Sequence, residues 1–193
     1  MAELAPRNRW WTRCLTWSNA LTMLRLLATP FFFCALLGGA SEAACALFWF
    51  AVLTDIADGR VARARGEATA FGGLLDHATD ASFVGLGLSA LAVLGVVPIA
   101  LPLVVLVAFV QYVLDSKSLK GKTLRASSLG RWNGIFYFVP LGIVVTRDAL
   151  ELGFPSDSLI RLLAAALILS TLISIGDRAW TLLSIRRNRG PGE

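Results

Sequence analysis

Residues 55–80 read DIADGRVARARGEATAFGGLLDHATD, a stretch that places four aspartates within an otherwise strongly apolar chain. Asp55 and Asp58 are three residues apart, and Asp76 and Asp80 are four apart. Because residues three or four apart share one face of an α-helix, each pair should project from one helix face. The stretch therefore predicts two helices that present two carboxylates each.

Four carboxylates in this setting predict a metal site. Negative charges close to an apolar environment are costly unless cations neutralise them. Carboxylate oxygens favour Mg²⁺, Mn²⁺ or Ca²⁺, whereas zinc is usually bound by histidine or cysteine. Two divalent ions would balance four aspartates. The alternative is a salt-bridged pair of helices in which Arg60, Arg63 and Arg65 neutralise the carboxylates.

Composition predicts an integral membrane protein. Of the 193 residues, 56% are hydrophobic and only 16% are charged, and the mean hydropathy is +0.67. Six apolar runs approach the length that spans a bilayer, which predicts an all-α, multi-pass protein with six transmembrane helices. The runs cover residues 21–38, 43–57, 82–97, 98–114, 133–146 and 159–176.

Charge asymmetry predicts the orientation of these helices, because short cytoplasmic loops collect Lys and Arg. With a cytoplasmic N-terminus, all of the 18 basic residues except Arg147 and Arg161 lie on the cytoplasmic side. Both termini and residues 55–80 are then cytoplasmic. The net charge of +5 suits anionic membrane lipid. It does not favour nucleic acid as a partner, since the basic residues lie between membrane spans.

One domain is expected over residues 1–193, with a six-helix bundle at 19–176 and a cytoplasmic tail at 177–193. Residues 1–18 should form a cytoplasmic or interfacial segment. Within it, RNRWWTRCLTW (7–17) predicts a short interfacial helix with tryptophans at headgroup level. A disordered basic tail is the alternative for the residues before Trp10.

The residues around the aspartates carry a longer pattern: DxxDGxxAR, eight residues, G, three residues, D, three residues, D. Its fixed positions are Asp55, Asp58, Gly59, Ala62, Arg63, Gly72, Asp76 and Asp80. This pattern resembles the signature of the CDP-alcohol phosphotransferase family. Upstream, the triplet Asn19, Thr22 and Arg25 looks like the first helix of that family.

The resemblance implies a reaction and its metal ligands. Family members attack the β-phosphate of a CDP-alcohol, usually CDP-diacylglycerol, with a hydroxyl group and release CMP. Two Mg²⁺ or Mn²⁺ ions are then the implied cofactors. Asp55, Asp58, Asp76 and Asp80 would bind metal, and Asp80 would also act as the catalytic base on the acceptor hydroxyl.

The resemblance also implies a CDP-alcohol pocket, in which small residues let the nucleotide approach the helix backbone. The residues assigned to it are Asn19, Thr22, Arg25, Asp58, Gly59, Ala62, Arg63 and Gly72. We expect Gly72 and Gly73 to form the turn into the third span. The alternative roles are helix packing by small residues, hydrogen bonding between helices and interfacial anchoring by arginine.

The acceptor alcohol is less constrained. Residues 116–125 read SKSLKGKTLR, and Arg131 follows. The acceptor phosphate of glycerol 3-phosphate or inositol phosphate could be bound by Lys117, Lys120, Lys122, Arg125 and Arg131. The equal alternative is that these residues are ordinary positive charges of a cytoplasmic loop, with no role in binding the acceptor. Ala81 stands where phosphatidylglycerophosphate synthases tend to carry lysine, so the subfamily stays open.

Two other classes use acidic residues in membranes. A prenyltransferase of the UbiA type would normally show two separated aspartate-rich motifs, whereas residues 55–80 form one compact motif. A cation transporter would place its carboxylates at mid-membrane or in both halves of the chain. The expected partners are thus a CDP-alcohol, a small alcohol acceptor and membrane lipid, and a homodimer is left open.

Overall fold

The computed structural model of the chain describes residues 17–65, 70–118 and 128–188, whose regular structure is entirely α-helical. The helices are α1 (Trp17–Leu37), α2 (Ser41–Arg65), α3 (Ala70–Val93), α4 (Ala100–Ser118), α5 (Ser128–Phe136), α6 (Phe138–Ala149) and α7 (Asp157–Asn188). Only Tyr137 separates α5 from α6, so these two form one interrupted helical stretch. The predicted all-α fold is confirmed.

The helices around the acidic stretch are longer than the apolar runs. α2 continues to Arg65, and α3 already begins at Ala70. Gly72 and Gly73 therefore lie inside α3, and the prediction that they form a turn is wrong. Both extensions contain alanine but also glycine, which has low helix propensity, so neither hydrophobicity nor propensity alone marks these helix ends.

The end of α3 also differs from the predicted run at 82–97. The helix ends at Val93, and Gly95 adopts a φ of +74°. The amide of Val96 then donates to the carbonyl of Leu91 at 2.9 Å. This left-handed glycine with a backward hydrogen bond is the usual way to terminate a helix.

Two helices of the described chain are long and apolar enough to cross a bilayer. These segments are Asn19–Leu37 and Asp157–Thr181, and Ala100–Leu114 is a shorter apolar helix. Together they suggest membrane association on length and composition. The count of six transmembrane spans, the interfacial helix before residue 17 and the cytoplasmic orientation stay predictions.

The chain divides into two compact units between Phe83 and Val84. The first contains α1, α2 and the beginning of α3, and a turn at Gly39 with a φ of +68° joins α1 to α2. Its core is aromatic. Phe32 and Phe83 stack with ring centroids 4.5 Å apart, and the Phe48 ring lies 6.3 Å from each.

In the second unit, α7 packs against α4, α5 and α6. Polar side chains link these helices: the Tyr137 and Thr171 hydroxyls lie 2.8 Å apart, and Ser170 donates to Asn133 Oδ1 at 2.7 Å. Gly130 packs closely against α7, since a Cβ there would lie 2.9 Å from Nη2 of Arg178 and 3.1 Å from Oγ of Ser174. The expectation of a single domain over residues 1–193 stays a prediction.

Candidate metal centre

Three of the four predicted metal ligands converge in the first unit. Asp55 comes from α2, whereas Asp76 and Asp80 lie one turn apart on α3. One carboxylate oxygen from each residue lies within 4.8 Å of the other two. Mg²⁺ binds oxygen at about 2.0–2.1 Å, so carboxylates this close can share an ion. The geometry and the hard oxygen donors fit the predicted divalent cation.

The fourth predicted ligand, Asp58, follows Asp55 by one helical turn on α2. The side chain of Asp58 lies outside the described part of the chain. The same holds for three residues predicted to line the CDP-alcohol pocket, namely Gly59, Ala62 and Arg63. Their assigned roles stay predictions.

Arg25 on α1 occupies the centre of the described cluster. Its Nη1 donates to Asp55 Oδ1 at 2.7 Å and to Asp80 Oδ1 at 2.5 Å. Its Nη2 donates to Asp76 Oδ1 at 3.3 Å. The arginine side chain is only 1% exposed, so one buried guanidinium joins the three helices of this unit. The carboxylates are thus partly neutralised by the protein itself.

The other pocket residues on α1 lie on the same helical face as Arg25. Asn19 and Thr22 precede it at three-residue intervals, and both are buried. Thr29, one turn later, is also buried and donates its hydroxyl hydrogen to the Arg25 carbonyl at 3.0 Å. Gly72 is half-buried near the start of α3. The predicted polar stripe of α1 is therefore buried in the structure.

The environment changes the acidity of Asp76 and Asp80. Both residues lie before the apolar run that begins at residue 82. Burial, reinforced by the charge of Asp55, raises the pKa of Asp80 to about 7 against the opposing effect of Arg25. Burial also raises the pKa of Asp76, although Arg25 again opposes the shift. Desolvation favours the neutral acid in both cases. Burial thus makes Asp80 a stronger base than an ordinary carboxylate when no cation is bound to it.

The predicted acceptor site lies mostly outside the described residues. Lys120, Lys122 and Arg125 fall between α4 and α5, and the side chain of Lys117 at the end of α4 is likewise outside the description. Arg131 is described, on α5, and its side chain is exposed. Binding of an acceptor phosphate by these residues stays a prediction.

Sequence reasoning missed the contacts of Arg25. It assigned this residue to the nucleotide pocket and considered only Arg60, Arg63 and Arg65 as protein cations that could neutralise the aspartates. The available signal was an arginine within the apolar helix α1, because a buried guanidinium requires acidic or polar partners. The alternative partners Arg60, Arg63 and Arg65 have side chains outside the described part of the chain.

Comparison with known proteins decides the family. Residues 15–176 match the family described as CDP-alcohol phosphatidyltransferase. The chain belongs to this family. For a CDP-alcohol phosphatidyltransferase, the match includes α1 and the whole acidic segment, so the resemblance seen in the motif is confirmed. The family transfers substituted phosphate groups, and it generally uses a divalent metal.

Two relatives share part of the sequence. Both are named probable phosphatidylglycerophosphate synthase, from Mycobacterium tuberculosis strains CDC 1551 / Oshkosh and ATCC 25618 / H37Rv. Each is 40% identical over 87 residues, which represent 42% of this chain and 42% of the relative. The match thus spans less than half the length of these relatives. No solved structure gives a significant match to the chain.

Proposed function

We propose that this protein transfers a phosphatidyl group from a CDP-alcohol, with CDP-diacylglycerol as the donor, to the hydroxyl group of a small phosphorylated polyol. CMP is the second product. The observation that carries this proposal is the convergence of Asp55, Asp76 and Asp80 within 4.8 Å, inside the segment that matches the family. Carboxylates in this arrangement suit the binding of a charged diphosphate through cations.

The metal ligands in this proposal are Asp55, Asp58, Asp76 and Asp80, with two Mg²⁺ or Mn²⁺ ions as cofactors. Bound cations would neutralise the donor diphosphate and the departing CMP, which lowers the barrier to nucleophilic attack. The protein contributes the fixed spacing of the oxygens. Their positions on α2 and α3 hold them in place before substrate arrives.

Asp80 is the proposed catalytic base. As the acceptor oxygen forms a bond to the β-phosphorus, its hydroxyl proton passes to the Asp80 carboxylate. The bond between the β-phosphorus and the bridging oxygen breaks, and CMP leaves with the bonding electrons. Its position in the cluster with Asp55 and Asp76, where the donor diphosphate is proposed to bind, supports this assignment.

The donor pocket is proposed to lie beside these carboxylates. Gly59 and Ala62 would leave room for cytidine, and Arg63 would donate to phosphate oxygens. The polar face of α1, formed by Asn19, Thr22 and Arg25, would close the pocket. Gly72 completes the proposed set. The buried positions of the α1 residues support a role inside the protein.

A lipid donor places the protein in a membrane. We propose six transmembrane spans with both termini and the active site on the cytoplasmic side. The two long apolar helices and the distribution of basic residues support this topology. Acyl chains could then remain in hydrocarbon while the cytidine diphosphate reaches the aspartates.

The acceptor is proposed to be glycerol 3-phosphate. The names of both relatives favour it, since phosphatidylglycerophosphate is the product expected from this acceptor. The basic residues between α4 and α5 also suit a phosphate group. Ala81 argues for another subfamily, so the acceptor requires a direct test.

The reaction can be tested with the purified full chain in detergent micelles. CMP release from CDP-diacylglycerol would be measured with glycerol 3-phosphate, inositol phosphate, free inositol and serine as acceptors. We expect release with a phosphorylated acceptor, loss of release in chelator and recovery with Mg²⁺ or Mn²⁺. Undiminished release in chelator would reject the metal mechanism, and preference for free inositol or serine would reject the acceptor.

The acceptor site can be tested with the combined substitutions Lys117→Gln, Lys122→Gln and Arg125→Gln. Each charged hydrogen bond to phosphate contributes about 1.5–3 kcal/mol. We therefore expect at least a tenfold rise in acceptor KM and an unchanged donor KM. A matched control is Arg161→Gln, which removes an exposed arginine of α7. Unchanged kinetics in the triple variant would indicate that these residues serve only membrane topology.

A further inference from the structure

Arg25 supplies a buried positive charge at the point where the family uses metal ions. Its guanidinium donates to Oδ1 of Asp55, Asp76 and Asp80, at distances of 2.5–3.3 Å. These residues come from α2 and α3, whereas Arg25 comes from α1. Because an arginine keeps its charge at any physiological pH, this cation is always present.

Among the described side chains, the charges of the Arg25 ion pairs do not balance. One guanidinium there faces three carboxylates, each more than a quarter exposed. A purely structural ion pair would gain most from matched charges, since excess buried charge is costly. The arrangement is instead that of a carboxylate site that retains excess negative charge. Arg25 lowers the repulsion among the carboxylates without satisfying the demand for cations.

A divalent ion that bound through Oδ1 of these carboxylates would compete with Arg25 for those atoms. Mg²⁺ binds carboxylate oxygens at about 2.0–2.1 Å. An ion bound to the Oδ1 atoms that now accept from Arg25 would lie within a few ångströms of the guanidinium. Like charges repel more strongly in a buried site than in water. Full contact of Arg25 with all three Oδ1 atoms therefore opposes the binding of an ion through those atoms.

We propose that Arg25 is a built-in counter-ion that exchanges with the divalent cations. In the metal-free protein it holds Asp55, Asp76 and Asp80 together, and on metal binding it withdraws from at least one of them. Arg25 is a positioning residue, and this role rests on the proposed function only in treating the cluster as the metal site.

The exchange can be tested without substrate. Wild-type full-length protein in detergent micelles would be compared with Arg25→Gln, Arg25→Lys and the control Arg161→Gln. Mn²⁺ affinity would be measured from the paramagnetic resonance signal of the free ion. Thermal unfolding would be measured separately in chelator.

Exchange predicts effects of opposite sign in Arg25→Gln. Without the guanidinium, the carboxylates repel one another in chelator, so the midpoint of unfolding should fall. The same variant should bind Mn²⁺ about tenfold or more tightly, because metal no longer displaces a charged hydrogen bond. Arg25→Lys should also bind Mn²⁺ more tightly than wild type. The lysine ammonium lacks the planar set of donors of a guanidinium, so it should hold the three carboxylates less firmly against the metal. Arg161→Gln should match wild type in both measurements.

A merely structural arginine would behave differently, because its loss would lower both stability and metal affinity. Equal or weaker Mn²⁺ binding by the Arg25 variants would overturn the proposal, as would a wild-type protein that binds no Mn²⁺. If Arg25→Gln fails to fold, Arg25→Lys decides the question by the same criterion. CMP release by the wild-type protein without tighter Mn²⁺ binding in the Arg25 variants would reject the exchange and leave the transferase function intact. Tighter Mn²⁺ binding in the Arg25 variants, with no CMP release by the wild-type protein, would support the exchange and reject the transferase function.

Discussion

Two arginines in this chain are each bound by more than one aspartate, but they join different parts of the sequence. Arg147 donates to Asp148 and Asp157, each at 2.7 Å, and these partners are one and ten residues away. The partners of Arg25 are 30 to 55 residues away, on two other helices. The Arg147 cluster therefore organises a local connection, whereas the Arg25 cluster joins distant segments.

The two clusters also differ in how well their charges are satisfied. Arg147 donates to the backbone carbonyl of Pro155 at 3.0 Å as well, and Asp157 begins α7, where a negative charge is favourable. The hydrogen bond to Asp148 raises the pKa of Arg147. At Arg25, three helical carboxylates share the guanidinium. What distinguishes the candidate metal centre is that three carboxylates from distant segments share one buried guanidinium, whereas the two carboxylates at Arg147 are close in sequence.

The sharpest test of this distinction compares Asp80→Asn with Asp157→Asn. Loss of a general base typically costs about 10²- to 10⁴-fold in turnover, so CMP release should fall by that factor in Asp80→Asn. Donor binding, measured at equilibrium with CDP-diacylglycerol, should be affected much less. Asp157→Asn should leave turnover within about twofold of wild type, because surface ion pairs contribute little. Similar, modest losses in both variants would remove the proposed catalytic difference between the clusters.

Substitutions in the two clusters should also differ in their effect on metal affinity, by a smaller factor than in their effect on turnover. Asp76→Asn removes one proposed ligand, whereas Asp148→Asn removes an exposed partner of Arg147. Loss of even an outer-shell partner costs about 10- to 100-fold in metal affinity, so Asp76→Asn should weaken Mn²⁺ binding by at least about tenfold. Asp148→Asn serves as the control and should bind Mn²⁺ as wild type does. Unchanged affinity in Asp76→Asn would mean that Asp76 is not a ligand.

The smallest effect is expected for Arg147→Gln. This change removes hydrogen bonds to partly exposed groups, whose net contribution to stability is about 1 kcal/mol. Denaturation in detergent should show this loss, while Mn²⁺ affinity and CMP release stay at wild-type values. A loss of metal binding in Arg147→Gln would show that the two clusters are not independent.

Much of the helical architecture was predictable from local sequence. Every predicted apolar run overlaps a described helix. The spacing of Asp76 and Asp80 also indicated correctly that they lie one turn apart on a helix. Helix ends were less predictable, because α2 and α3 extend beyond the apolar runs through polar residues and through glycines of low helix propensity. Hydrophobicity marks the apolar segment of a helix, not its full length.

The partners of Arg25 could not be predicted in the same way. Periodicity places Asn19, Thr22 and Arg25 on one face of α1, but it does not say which helix that face meets. The contact to Asp55 and Asp80 depends on how three helices pack, which is information that no single segment contains. The motif identified the carboxylates, and the tertiary structure supplied their internal cation.

The aromatic contact of Phe32, Phe48 and Phe83 has a consequence for the carboxylate spacing. Phe32 lies two turns after Arg25, and Phe83 lies one turn after Asp80, so rings and charges share helix faces. A slip of one helix by a single turn would shift its carboxylate by about 5.4 Å. That exceeds the 4.8 Å across which the described oxygens are gathered. The contacts among these three rings thus fix the register of the three helices. A substitution of one of the rings would change which carboxylate oxygens can share one ion.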